Sequence, residues 1–480
     1  MPTMPAFEAG SYRDREGRVY YGAGGEVLRA MSARALGEWD AVSASRFFRQ
    51  AMADGQVVHT AKSDAAWHDL EDLMSADHSP EGGGWAGVLQ HERIPFVTYP
   101  YEWSFGMLQD AALLQLELLQ SALAEEFTLK DGTSYNVQWI GARPTFIDVV
   151  SFERLVPGQP WAGYRQFCQT ALFPLLMQAY RNIGYHALLR GRLDGITPAE
   201  CASLMTWWNA FSPGVLTHVW LHARLQGNST VRDSNLRKAL PRAGFDKALI
   251  AGNAAGLAKT IRKLHWTPTS DWSGYAANNT YSPADAGSKV EFVRAAAGAA
   301  PVGLAWDLGC NIGEYSRIVA EQADCVVAMD ADHPTVERLY QQLKAEGGSV
   351  AARKIVPLVA NLADPSPNLG WRGTERKSLL GRGRPDLTLC LALVHHLVIG
   401  AGIPMRELLE WLAGLNSRLV IEFVDRNDPM VKQLLRNRRD QCADYDPRLF
   451  DRWLREIFDV VRSEPLDSGT RTLYYAHPRA

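Results

Sequence analysis

The sequence predicts an α/β protein: a mostly parallel sheet in the second half and a separate α+β unit in the first. Two observations carry this. Beyond residue 300, short apolar runs at 325–330, 355–360, 386–393 and 418–424 each lead into Asp, Asn or His, and lie a helix length apart. Unbroken apolar character suits strands buried on both faces of a parallel sheet. The first half instead offers a hairpin pattern at 18–28 and a helix over 107–124 with a wide apolar face. Around residue 265 the chain changes character, from an Ala-rich helical stretch (248–263) to a turn-rich one (265–275). This places a boundary between a unit 1–265 and a unit 266–480.

Composition narrows the function. A chain of 480 residues has room for two or three domains, and 46% hydrophobic with 21% charged content is that of a folded soluble protein. The net charge of −3 leaves no basic excess for a polyphosphate backbone, so general nucleic-acid binding is disfavoured. There is no basic segment followed by an apolar run at the N-terminus, and no apolar stretch of about 18 residues. A cytoplasmic protein with no membrane association is expected. The six cysteines are scattered without a Cys-x-x-Cys pair. They read as small buried hydrophobes, and no metal is expected.

The most informative stretch is 305–315, where an apolar strand enters Asp307-Leu308-Gly309-Cys310-Asn311-Ile312-Gly313 and a helix follows. Such a turn brings the backbone close to a ligand. It is not the Gly-x-Gly-x-x-Gly phosphate fingerprint. It resembles the first motif of class I S-adenosylmethionine (SAM)-dependent methyltransferases, with Asn311 in place of the middle glycine. Asn tolerates a left-handed backbone best after Gly. The resemblance implies a Rossmann-like methyltransferase fold with a seven-stranded, mostly parallel sheet. Asp307, Gly309, Asn311 and Gly313 would then border the cofactor. Asp330 lies one strand–helix–strand unit later. A carboxylate there can accept hydrogen bonds from both ribose hydroxyls; its neighbour Asp332 could share that role or cap a helix. Asn361, at the end of the third run, corresponds to the residue near the adenine edge, and an Asn there also suits a turn. The run ending near Leu391 corresponds to the strand beside the transferable methyl. His395 and His396 follow as general-base candidates, against the structural role more usual for a lone His. Glu422 sits in the fifth run and needs a partner or a raised pKa; it either faces the substrate or is structurally satisfied. Residues 470–476 look like the edge strand that completes the fold. Tyr275 and Tyr281 could cover the cofactor or dock the two units together.

In the first half, Asp131 and Asn136, followed by a short hairpin ending at Asp148, resemble the catalytic loop of protein and small-molecule kinases. There the first Asp orients the acceptor, and the Asn and second Asp hold magnesium on ATP. The remainder departs from that family. No Val-Ala-Ile-Lys-like strand is present, Lys62 sits in a turn-like setting, and no glycine follows Asp148. A degenerate kinase-like lobe is expected. Aromatics at 95–103 suit packing between lobes, the 189–195 arginines suit an anionic group or helix caps, and Trp207 and Trp208 suit a core. Residues 99–105, the Asp131 loop and the Asp307 loop together resemble a bacterial group of two-part methyltransferases, some associated with nodulation or secondary-metabolite gene sets. The function expected is SN2 methyl transfer from SAM to a small-molecule acceptor. The alternatives are a bifunctional protein with an ATP-dependent kinase in its first half, or a non-catalytic SAM-binding assembly protein.

Overall fold

Two sheets organise the chain. The structure, a computed structural model, describes residues 6–64, 84–227, 247–267, 283–436 and 444–479. The first sheet holds β1 (Ala6–Phe7), β2 (Gly17–Tyr21), β3 (Val27–Ser32), β4 (Thr60–Lys62) and β5 (Trp85–His91). It is antiparallel, in the order β1-β2-β3-β5-β4. The hairpin expected at 18–28 is β2–β3. After β3 come the helices Ala33–Ala44 and Arg46–Ala53, capped by the Ser32 and Ser45 hydroxyls, which accept from Ala35 N–H and Phe48 N–H. Lys62 lies in a strand rather than a turn, and pairs with Asp40 at 2.6 Å. A three-residue edge strand with two exposed positions has no apolar pattern by which to be recognised.

The helix Phe105–Ala124 is buried on most of its circumference. Two small ladders follow. One pairs β6 (Phe127–Leu129) with β9 (Phe152–Arg154); the other pairs β7 (Val137–Ile140) with β8 (Arg143–Phe146).

The second sheet has seven strands: β10 (Val302–Leu308), β11 (Ala323–Asp330), β12 (Ile355–Val359), β13 (Leu387–Cys390), β14 (Arg418–Val424), β15 (Phe458–Pro465) and β16 (Arg471–Pro478). Their order is β12-β11-β10-β13-β14-β16-β15, parallel except for β16. This is the seven-stranded, mostly parallel sheet anticipated from the sequence. One detail differs. The 470–476 run is not the edge: β16 lies between β14 and β15, because the β15–β16 hairpin turns its second strand inward.

The two faces of this sheet are covered differently. On one, Ala305, Val326, Ala328, Leu389 and Val420 pack against the chain's own helices Pro283–Ala297 and Glu314–Ala320. On the other, Trp306, Leu308, Met329, Leu358 and Ile421 share a core with Phe96, Trp103, Leu108 and Trp139 from the first half. A parallel crossover normally carries a helix. Between β12 and β13, however, residues 360–386 hold only short 3-10 turns, and first-half side chains pack on that face. Phe96 meets Trp306 edge-on at 6.1 Å, and Trp139 meets Tyr340 at 5.4 Å.

A polar seam runs alongside. Arg382 donates to both carboxylate oxygens of Glu102 at 2.6 and 2.7 Å, with both side chains buried. Gly106 N–H and Phe105 N–H, at the start of the Phe105–Ala124 helix, donate to Glu337 (2.7 Å) and His333 Nε2 (3.0 Å). Two of that helix's orphan donors are therefore satisfied from the second half. The aromatics at 95–103 pack at this junction. Arg190 pairs with Asp364 and Arg192 with Glu200.

Trp207 and Trp208 correct an expectation. They are 58% and 65% exposed. The short turn Trp207–Phe211 is held by reciprocal Thr206 and Asn209 bonds and has no buried face.

Candidate cofactor and acceptor site

β10 and β13 form the switch point of the sheet, where a doubly wound fold opens its ligand crevice. At the end of β10, Gly309 N–H and Cys310 N–H both donate to Met329 carbonyl of β11 (2.8 and 2.9 Å). The chain then turns through left-handed backbone at Gly309 (φ 74°), Asn311 (φ 51°) and Gly313 (φ 77°). A Cβ on Gly313 would also lie 2.8 Å from Leu339 Cδ1, so conformation and space both demand glycine there.

Asp330 closes this loop from β11. Its Oδ2 accepts Asn311 N–H and its Oδ1 accepts Asp332 N–H, each at 2.9 Å. Burial pushes its pKa up, against the pull of those two N–H donors. Each oxygen keeps a further lone pair for a hydroxyl. Asp332 caps the helix His333–Glu346, which leaves Asp330 as the carboxylate facing the loop.

Asp307 is placed differently from its neighbours in the motif. It is buried beneath the loop, where Oδ2 accepts the Ser316 hydroxyl at 2.5 Å, and burial pushes its pKa up to about 6. It fixes the loop from below. Asn361 is exposed two residues beyond β12, and its Oδ1 accepts Ala363 N–H at 3.0 Å. It forms a local turn. Leu391 is buried just after β13.

Ala392 follows in left-handed backbone (φ 50°), a conformation costing a non-glycine residue roughly 1–2 kcal/mol. Nothing in the sequence marked it. Strained residues of this kind gather at functional sites. Three residues on, His395 is fully buried, and neither ring nitrogen has a hydrogen-bond partner among the described residues. Burial, with His396, Arg471 and Lys289 adding repulsion, holds its pKa well below the usual histidine range. The His396 ring lies 4.2 Å away and is less buried, and burial lowers its pKa too.

Glu422 is fully buried and doubly bonded. Oε2 accepts Lys289 Nζ at 2.7 Å, and Oε1 accepts Arg471 Nη1 at 3.2 Å. Arg471 Nε also donates to Asp428 at 3.0 Å. Lys289 Nζ sits 4.6 Å from the Tyr315 ring centre. Sequence reasoning missed Lys289 and Arg471, which reach Glu422 from a distant helix and strand. Tyr275 and Tyr281 lie outside the described residues.

The first-half candidates assemble in part. Asn136 Nδ2 donates to Asp148 Oδ2 at 3.3 Å. Asp148 Oδ1 is 3.1 Å from the guanidinium of Arg29 on β3, a partner sequence reasoning did not find. Burial, then the charge of Asp148, raises the Asp131 pKa.

No family model matches the chain. It is 34% identical over 480 residues to the nodulation protein NoeA of Rhizobium meliloti (strain 1021), covering 98% of this chain and 96% of that protein. Among solved structures it is similar to the N-methyltransferase NodS of Bradyrhizobium japonicum WM9 with S-adenosyl-L-homocysteine (11% identity, 42% of this chain, 91% of that chain, TM-score 0.30). It is likewise similar to the magnesium protoporphyrin IX methyltransferase ChlM of Synechocystis PCC 6803 with bound SAM (16% identity, 45% and 89%, TM-score 0.30).

Proposed function

We propose that this chain, which belongs to the family of the nodulation protein NoeA, is a SAM-dependent methyltransferase acting on a small molecule or biosynthetic intermediate. The observation that carries the reading is the turn 309–313, left-handed at three positions and tied to Asp330 at the switch point of the sheet. The residues suit that cofactor. The backbone of Gly309, Asn311 and Gly313 would border the methionine end, Asp330 would receive the ribose hydroxyls, and Asn361 and Leu391 would lie toward the adenine and the methyl. When bound, SAM supplies a methyl carbon already activated by its sulfonium.

The protein's own work is alignment, exclusion of water and proton removal. His395 and His396 are the candidate bases. Both are held neutral, so either can accept the proton of a hydroxyl or amine acceptor. Glu422 anchors Lys289 and Arg471, the two cations whose charge acts on His395. Methyl-labelled SAM offered with a small-molecule extract should label a low-molecular-weight product, and His396→Ala should cut that labelling without changing SAM affinity. Label found only on macromolecules, or on nothing, would overturn the reading.

We read residues 1–265 as a degenerate kinase-like unit that scaffolds residues 266–480. In its favour are the element order (five-stranded antiparallel sheet, long helix, Asp131–Asn136 loop, hairpin, Asp148) and the Asp148 carboxylate paired to Arg29, where a phosphoryl-transfer site needs it on a metal.

A further inference from the structure

We propose that the face formed by the turn Trp207–Phe211 and the helical turn Val215–Leu221 docks on an anionic lipid surface, an interaction separate from methyl transfer. Five large apolar side chains stand out of this face: Trp207 (58% exposed), Trp208 (65%), Phe211 (82%), Leu216 (59%) and Leu221 (52%). Together they present on the order of 500 Å² of apolar surface, at the upper end of what a monomer carries. The two indoles stack on each other at 3.4 Å in solvent. Trp, Phe and Leu on one projecting face are the side chains that partition into the headgroup region of a bilayer.

Charge identifies the partner. Residues 201–227 and 247–263 contain Arg224, Lys247, Lys259, Arg262 and Lys263 and not one Asp or Glu, in a chain whose net charge is −3; of these Lys247 is paired with Glu126. Arg224 lies one turn beyond Leu221 and is exposed. Lys259 and Lys263 are also exposed. They flank Thr260, whose methyl lies 2.9 Å from where a Cβ on Gly214 would sit, so the basic helix Lys247–Arg262 borders the same face. Among the described residues, no carboxylate lies within 4.0 Å of Arg224, Lys259 or Lys263. An apolar tip bordered by Arg224, Lys259 and Lys263, none of them paired with a carboxylate among the described residues, fits an anionic bilayer, where the side chains insert and the cations meet phosphate. No helix of the described residues is long and apolar enough to cross a membrane, so the contact would be peripheral.

The test is co-sedimentation of the full-length protein with vesicles of phosphatidylcholine alone and of phosphatidylcholine with phosphatidylglycerol. Binding is expected only to the second, with a blue shift of tryptophan emission, and raising the salt from ~0.1 to ~1 M should weaken it. Trp207→Ser/Trp208→Ser/Phe211→Ser should bind at least tenfold more weakly, and Lys259→Gln/Lys263→Gln should lose the preference for phosphatidylglycerol. Both variants should keep the wild-type melting temperature, since only exposed side chains change. Three results would overturn the proposal: no binding to anionic vesicles, unchanged binding by the triple variant, or dimerisation of the wild type that the triple variant abolishes.

Discussion

Asp330 and Asp148 are two carboxylates in comparable positions, each at the end of an extended segment and each joined to a loop that sequence reasoning ties to nucleotide chemistry. Their surroundings separate them. Asp330 is aligned by backbone N–H donors, among them those of Asn311 and Asp332, and no cation pairs with it among the described residues. Asp148 already has a guanidinium from Arg29 and an amide from Asn136. On the function proposed here, the Arg29-paired carboxylate is structural and the one held by backbone amides would receive hydroxyls. The motif alone does not decide between these, and the partner does.

The harshest way to test this division is to break the join between the two regions. Glu102→Ala would leave Arg382 buried without its partner, and should cost about 3–5 kcal/mol of stability, read as a large fall in melting temperature. Removing Asp330 as Asp330→Ala should weaken SAM binding about 100-fold while Asp148→Ala leaves it unchanged. That ratio corresponds to about 2.7 kcal/mol.

The buried Asp307 sharpens the picture through pH. Its folded pKa is raised to about 6 from 3.8 by burial, so the ionised form costs stability in the fold. The stability it contributes is present below pH ~4 and is lost as pH rises through 6, by up to about 3 kcal/mol. Asp307→Asn should therefore melt higher than the wild type at pH 8, with the gap closing toward pH 4. The smallest effect belongs to His395. Because burial and nearby cations hold it neutral, turnover should not fall between about pH 8 and pH 6, down to the usual histidine pKa. A decline centred near the ordinary histidine value would remove it as the neutral base.

Much of the second half was legible because each buried strand is an unbroken apolar run and each ends in a residue with distinct chemistry. Asn311 in the left-handed region was foreseeable from its place between two glycines. The partners were not. Lys289 and Ser316 lie in helices whose patterns show burial and not contacts, and Arg471 reads as an ordinary polar residue until β16 sets it beside Glu422. Trp207 and Trp208 misled because large aromatics are usually buried, and a short turn with no inner face leaves them outside. The use of the first half as cover for the second sheet was invisible, since what reveals it is a helix missing between β12 and β13.

The central claim is that Asp330 and the 309–313 turn hold SAM. Calorimetric titration of the full-length wild type and of Asp330→Ala with SAM tests it most directly. The account predicts a single site in the wild type and little or no heat with the variant. Equal affinity in both, or no binding to the wild type, would contradict it.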